Sequence, residues 1–147
     1  MPDNVILLVE DNPAHAEILR RAISATNIPT RVEHAVDGQV ALDFLYRRNV
    51  FGDPAKAPRP ELILLDLRMP NVDGFQVLAT IKADPDLRSL PVVVLSTSAS
   101  WADRQRAYCL HANSYLVKPV SYRQTLELID TLCRYWLQFN HTSGRHE

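Results

Sequence analysis

Residues 62–70 read Leu-Ile-Leu-Leu-Asp-Leu-Arg-Met-Pro, an apolar run that carries a single acid, Asp66. A stretch this short suits a strand, and apolar side chains at nearly every position suit one buried on both faces of a parallel sheet. Burying a bare carboxylate inside such a sheet is costly. The spacing therefore predicts Asp66 at the carboxyl end of its strand, on the rim where open α/β sheets present their ligands. Met69-Pro70 closes the strand, because proline donates nothing to the ladder.

Four other stretches read as strands. Val5–Val9 ends at Glu10-Asp11. Thr30–Val36 is interrupted by Arg31, Glu33 and His34, as suits a place near the sheet edge. Val92–Leu95 follows Pro91 and finishes at Ser96-Thr97-Ser98, and Ser114–Val117 leads into Lys118-Pro119. Helical signals lie between them. Asn12-Pro13 reads as N-cap plus first helical residue, ahead of His15, Ile18, Leu19, Ala22 and Ile23 at helical spacing. Asp37-Gly38 is a turn before Val40, Ala41, Phe44 and Leu45, and Asp73 caps a helix with Phe75, Val77, Leu78 and Ile81. A helical segment occupies about residues 101–111. Ser121 caps a long last helix that carries Leu126, Ile129, Leu132, Cys133, Trp136 and Leu137 on one face. Three prolines and a glycine make residues 47–60 a loop. Strands alternating with helices imply a five-stranded parallel sheet, doubly wound, because right-handed crossovers are the rule.

The 147 residues suit one domain, expected over 1–147 with a core at about 4–138 and a frayed tail from Thr142. No recognition-helix pattern or basic stripe announces an output domain. The net charge of −1 supplies no field to draw nucleic acid or an anionic membrane. No apolar run approaches the roughly 20 residues needed to cross a bilayer, and no secretory signal is apparent. Cys109 and Cys133 lack a C-x-x-C partner and read as reduced thiols. A cytoplasmic protein is expected.

All strands of a parallel sheet point one way, so Glu10-Asp11, Asp66, Ser96 and Lys118 share one rim. Two like charges at about 4 Å repel by roughly 4 kcal/mol at an effective dielectric near 20. Three carboxylates in one crevice therefore call for a divalent cation, and an all-oxygen ligand set suits Mg²⁺ or Mn²⁺. No cysteine or histidine ends a strand, which argues against zinc. A hydroxyl and an ammonium beside these acids suit an anion that stays, and a phosphoryl group on Asp66 fits. Each residue has a plainer explanation taken singly: acids at a helix N-terminus, a loop acid, a turn hydroxyl, a solvated lysine. Their joint placement on successive strand ends carries the inference.

Four ordered motifs give the chain a resemblance to the response regulator receiver domains of two-component signalling, whose fold is the flavodoxin-like (βα)5. Leu8-Val9-Glu10-Asp11-Asn12 resembles the first-strand acidic motif of that family. Leu64-Leu65-Asp66-Leu67-Arg68-Met69-Pro70 with Asp73-Gly74 resembles its acceptor motif, Val94-Leu95-Ser96 its fourth-strand hydroxyl motif, and Tyr115-Leu116-Val117-Lys118-Pro119 its fifth-strand lysine motif. The resemblance implies Asp66 as phospho-acceptor. It implies a Mg²⁺ site (Mn²⁺ as the other candidate) from Asp11, Asp66 and the backbone carbonyl of Arg68, with Glu10 acting mainly through water. Ser96 becomes the switch hydroxyl, Tyr115 the switch aromatic and Lys118 the phosphoryl partner, and the Lys118–Pro119 peptide is expected to be cis.

The loop insert, the Leu-Ser-Thr-Ser run, His111-Ala-Asn-Ser-Tyr115 and the aromatic end of the last helix are similar to single-domain regulators of phytochrome-type histidine kinases. The expected function is a regulatory phospho-acceptor that catalyses only its own phosphorylation and dephosphorylation. It takes the phosphoryl group from a kinase phosphohistidine and alters the face formed by the fourth helix, fifth strand and last helix. Partner binding, phosphate relay or homodimerisation through Tyr135, Trp136 and Phe139 then follows. Arg68 stands two residues beyond the acceptor, where it either shields or pairs with the phosphoryl group. Two rival readings are a phosphohydrolase with an aspartyl-phosphate intermediate and a phosphate-independent protein-binding module. The hydrolase reading lacks the second acid usual at the Arg68 position.

Overall fold

Alternating strands and helices run through all the described residues, 4–141, of the computed structural model; the tail from Thr142 lies outside them. In chain order the elements are β1 (Asn4–Val9), α1 (Pro13–Ala25), β2 (Thr30–Ala35), α2 (Gly38–Tyr46), β3 (Leu62–Leu65), α3 (Gly74–Ala83), β4 (Val92–Ser96), α4 (Trp101–Cys109), β5 (Ser114–Val117) and α5 (Tyr122–Cys133). The strands form one wholly parallel sheet in the order β2-β1-β3-β4-β5, the flavodoxin-like arrangement. The run at 62–65 is its central strand. The polar-interrupted stretch at 30–35 is an edge, as its composition implies.

Period-two alternation sorts the central strands between two cores. Ile6, Leu8, Leu62 and Leu64 meet α1 and α5 through Leu19, Ile23, Ile129 and Leu132. Leu7, Val9, Ile63 and Leu65 meet α2, α3 and α4 through Phe44, Phe75, Leu78 and Ala107. Both faces of these strands are dry, which is why their sequence reads as unbroken apolar runs.

Each helix starts shortly after a strand, so its N-terminal cap sits near the rim. Asn12 Oδ1 accepts from the backbone N–H groups of Ala14 and His15 at 2.9 and 3.2 Å. Asp37 Oδ1 accepts from Val40 N at 2.8 Å. Asp73 and Gln76 form a reciprocal capping box at 3.0 and 2.9 Å, and Ser121 Oγ accepts from Gln124 N at 3.1 Å. These side chains satisfy donors that a helix cannot satisfy internally.

Three details depart from or sharpen the expectations. The segment at 47–60 is irregular but packed: it holds a short 3-10 turn at Asn49–Phe51, Phe51 lies edge-on to Phe44 at 5.3 Å, and Ala57 is buried. The last helix changes at Arg134 into π-helical turns that run to Phe139, closed by Asn140 N donating to Tyr135 O at 2.7 Å. The expected cis bond before Pro119 is corrected: no cis peptide occurs among the described residues. The two isomers of an X–Pro bond differ by only about 0.5–1 kcal/mol, so local contacts decide the isomer rather than the motif.

Both cysteines are free thiols, and burial pushes that of Cys133 up to about 12. No helix of the described residues is long and apolar enough to cross a membrane.

Candidate functional site

The register between β1 and β3 builds the site. Val9 pairs with Leu65, and Asp66 N donates to Val9 O at 3.0 Å, so Glu10 and Asp66 follow level on adjacent strands. The carboxylates of Glu10, Asp11 and Asp66 bring ligand oxygens within 4.8 Å of one another. Glu10 is almost wholly buried, at 1% exposure, and Asp66 nearly so at 8%. Lys118 extends over them from the end of β5. Its Nζ lies 2.5 Å from Glu10 Oε1 and 3.9 Å from Asp66 Oδ1.

This crowding has an electrostatic consequence. Burial, then the charge of Glu10, push the Asp66 carboxyl up to about 7, against the opposing pull of Lys118. One ammonium does not balance three carboxylates. Hard oxygen donors carrying excess negative charge in a partly dry crevice are the setting that a Mg²⁺- or Mn²⁺-sized cation suits, so the donor set fits the expected metal.

Ser96 and Tyr115 are not hydrogen-bonded to these carboxylates in the described structure; both attach to the loop after β4. Ser96 is fully buried, and its Oγ accepts from Ser98 N at 3.1 Å. Ser98 Oγ accepts from Ser100 N at 3.1 Å, and Ser100 Oγ from Asp103 N at 3.3 Å. The Tyr115 hydroxyl donates to Ser98 O at 2.8 Å. A ladder of serine side chains thus links the end of β4 to the first turn of α4, with Tyr115 tied to its middle.

Arg68 neither shields nor pairs with Asp66 in this arrangement. Its guanidinium reaches Asp103 Oδ2 at 2.5 Å and lies 5.7 Å from the Phe75 ring centroid. Hydrogen bonds from Ser98 and then Arg68 hold the Asp103 carboxyl below the usual carboxylate range. The loop that carries the acceptor is therefore tied directly to α4.

Two side chains at the site were not among the sequence candidates. One is Asp103. The other is His15, assigned from the sequence only to a helix face, whose Nδ1 lies 3.0 Å from Lys118 Nζ. A signal for it was present: a helix capped by Asn12 immediately after the acidic pair puts its first turn on the same rim.

Comparison with known proteins agrees with this geometry. The sequence profile of the response regulator receiver domain matches residues 6–130. The chain is 44% identical over 140 residues to a probable methanogenesis regulatory protein, FilR2, of Methanothrix harundinacea, covering 95% of this chain and 88% of that protein. It is 39% identical over 137 residues to response regulator Rcp1 of Synechocystis sp., covering 93% and 91%. Among solved structures, the phosphorylated cyanobacterial phytochrome response regulator RcpA superposes with a TM-score of 0.90 at 37% identity, covering 97% of this chain and 99% of that one. The Mn²⁺-bound form of Rcp1 gives 0.86 at 37% identity, covering 96% and 99%.

Proposed function

The chain belongs to the response regulator receiver domain family, and on that premise we propose that it accepts a phosphoryl group on Asp66 from the phosphohistidine of a sensor kinase. The observation that supports this most is the convergence of Glu10, Asp11 and Asp66 within 4.8 Å beneath the Lys118 ammonium. On this reading the protein is cytoplasmic and regulatory, and it catalyses nothing beyond its own phosphate cycle. The likeness to RcpA, a phytochrome response regulator, supports a phytochrome-type kinase as the donor.

An oxygen of the Asp66 carboxylate attacks phosphorus in line. The phosphorus–nitrogen bond of the donor breaks, its electron pair stays on the imidazole, and an acyl phosphate forms. Glu10, Asp11 and Asp66, with the Arg68 backbone carbonyl, would hold Mg²⁺ or Mn²⁺, which when bound neutralises charge on the phosphoryl oxygens. Lys118 donates to one phosphoryl oxygen and the Ser96 hydroxyl to another. When Ser96 turns toward the phosphoryl group, Ser98 N loses its acceptor and the serine ladder loosens. Tyr115 is freed from Ser98 O and turns inward, and α4 resettles against β5 and α5. One added dianion thereby shifts the population of that face. Water later hydrolyses the acyl phosphate and restores the carboxylate.

Acetyl phosphate with Mg²⁺ separates this from the rival readings. A stable mass gain of one phosphate, read by intact-mass spectrometry, is expected. Rapid turnover with no mass gain would mark a hydrolase, and no chemistry at all would mark a phosphate-independent binding module.

Dimerisation is proposed through β5 and the end of the last helix, where Val117, Tyr135 and Phe139 are exposed and Trp136 is half-buried. Trp136→Glu and the more exposed Phe139→Glu are each expected to convert a dimer to a monomer by light scattering. Dimer mass unchanged in both would exclude this surface.

A further inference from the structure

We propose that His15 is a positioning residue for Lys118, holding its ammonium on the acidic cradle so that one N–H remains for an oxygen of the phosphoryl group. The proposal rests on Asp66 being the phospho-acceptor.

An ammonium has three N–H donors and no acceptor. Two of the three are used here: Glu10 Oε1 lies at 2.5 Å and His15 Nδ1 at 3.0 Å. Asp66 Oδ1, at 3.9 Å, is outside hydrogen-bond range. Because the ammonium only donates, His15 accepts through Nδ1 and carries its ring proton on Nε2. The Lys118 side chain is only 11% exposed, so protein groups supply most of its partners.

His15 is itself well placed to anchor. Its backbone N–H is held by the Asn12 cap at 3.2 Å, in the first turn of α1, directly after the acidic pair. His15 and Lys118 line one cavity of about 380 Å³ together with Ile18, Leu95 and Tyr122. Glu10 alone fixes one point of a flexible four-carbon chain; Glu10 and His15 together fix the direction of the remaining N–H. Preorganised donors stabilise developing charge without having to reorient during the reaction.

The test uses the full chain with acetyl phosphate and Mg²⁺, comparing initial rates of phosphate uptake. His15→Ala is expected to slow uptake about ten-fold, the low end of the effect of one hydrogen bond to a charged group. His15→Gln, whose amide oxygen can accept from the ammonium, is expected to restore the rate to within about two-fold. On a Lys118→Ala background, His15→Ala is expected to add nothing, because its effect passes through the lysine. Thermal unfolding of each variant verifies that it is folded. An unchanged rate in His15→Ala, or the same loss repeated on the Lys118→Ala background, overturns the proposal. An unsubstituted chain that takes no phosphate would instead end the phospho-acceptor reading, so the two failures are distinct.

Discussion

In metal-free buffer above about pH 7, Asp66→Asn is expected to be more heat-stable than the unsubstituted chain, and with Mg²⁺ supplied it is expected to take no phosphate from acetyl phosphate. The folded protein holds the proton of Asp66 up to about 7, well above the ordinary value of 3.8, because burial and then Glu10 oppose its charge. A carboxyl raised in this way contributes most stability below its unfolded value. That contribution declines as pH climbs through the window between the two values and is gone above about pH 7. About three pH units at about 1.4 kcal/mol each set an upper bound near 4 kcal/mol.

Asparagine keeps the shape and removes the charge. It also forfeits the attraction of Lys118, but burial and Glu10 outweigh that attraction. The variant should therefore unfold higher by roughly 5–10 °C at about pH 8, with the gap closing toward about pH 4. Thermal scans across that range measure it. A variant less stable at the alkaline end, or a gap that does not change with pH, would mean that the crevice does not strain this carboxylate. A phosphate still gained by Asp66→Asn would remove the acceptor assignment itself.

Gly74→Ala should do the opposite. Gly74 opens α3, and its N–H donates to Leu67 O at 3.0 Å. A Cβ there would meet Asp66 O at 2.2 Å and Leu67 Cα at 2.6 Å, both backbone atoms that cannot swing aside. Overpacking of this kind costs about 1–3 kcal/mol or more, a fall of roughly 5–10 °C for a domain of this size. The atoms displaced belong to the acceptor residue, so divalent-cation binding and phosphate uptake should weaken together with stability. Gly52 is the internal control. A Cβ there meets nothing nearer than Asn49 O at 3.7 Å, and its φ is −63°. Gly52→Ala should leave uptake unchanged and stabilise by about 0.4–1 kcal/mol through the unfolded chain. Equal effects of the two substitutions would contradict the close approach at Gly74.

Much of this architecture is legible in the sequence. The strands at 5–9, 62–65 and 92–95 announce themselves because both their faces are buried. The caps at Asn12, Asp73 and Ser121 are local, since the side chain and the amides it satisfies lie within three residues. The helix over 101–109 was fainter for a physical reason: among its residues only Ala107 is buried, so it has almost no apolar stripe to betray it. The insert read correctly as irregular, but its packing of Phe51 against Phe44 left no periodic trace.

The sequence by itself determined the sheet, the helices that wrap it and the rim on which Glu10, Asp11, Asp66, Ser96 and Lys118 stand, because strand and helix periods are local properties. Tertiary structure alone decided how those side chains are partnered. It put Lys118 between Glu10 and His15, more than a hundred positions away in the chain, turned Arg68 to Asp103, kept the Lys118–Pro119 peptide trans, and required glycine at residue 74. The reason is that alternatives such as two proline isomers, or two acceptors for one ammonium, differ by only about 1 kcal/mol locally. Packing against distant residues chooses between them.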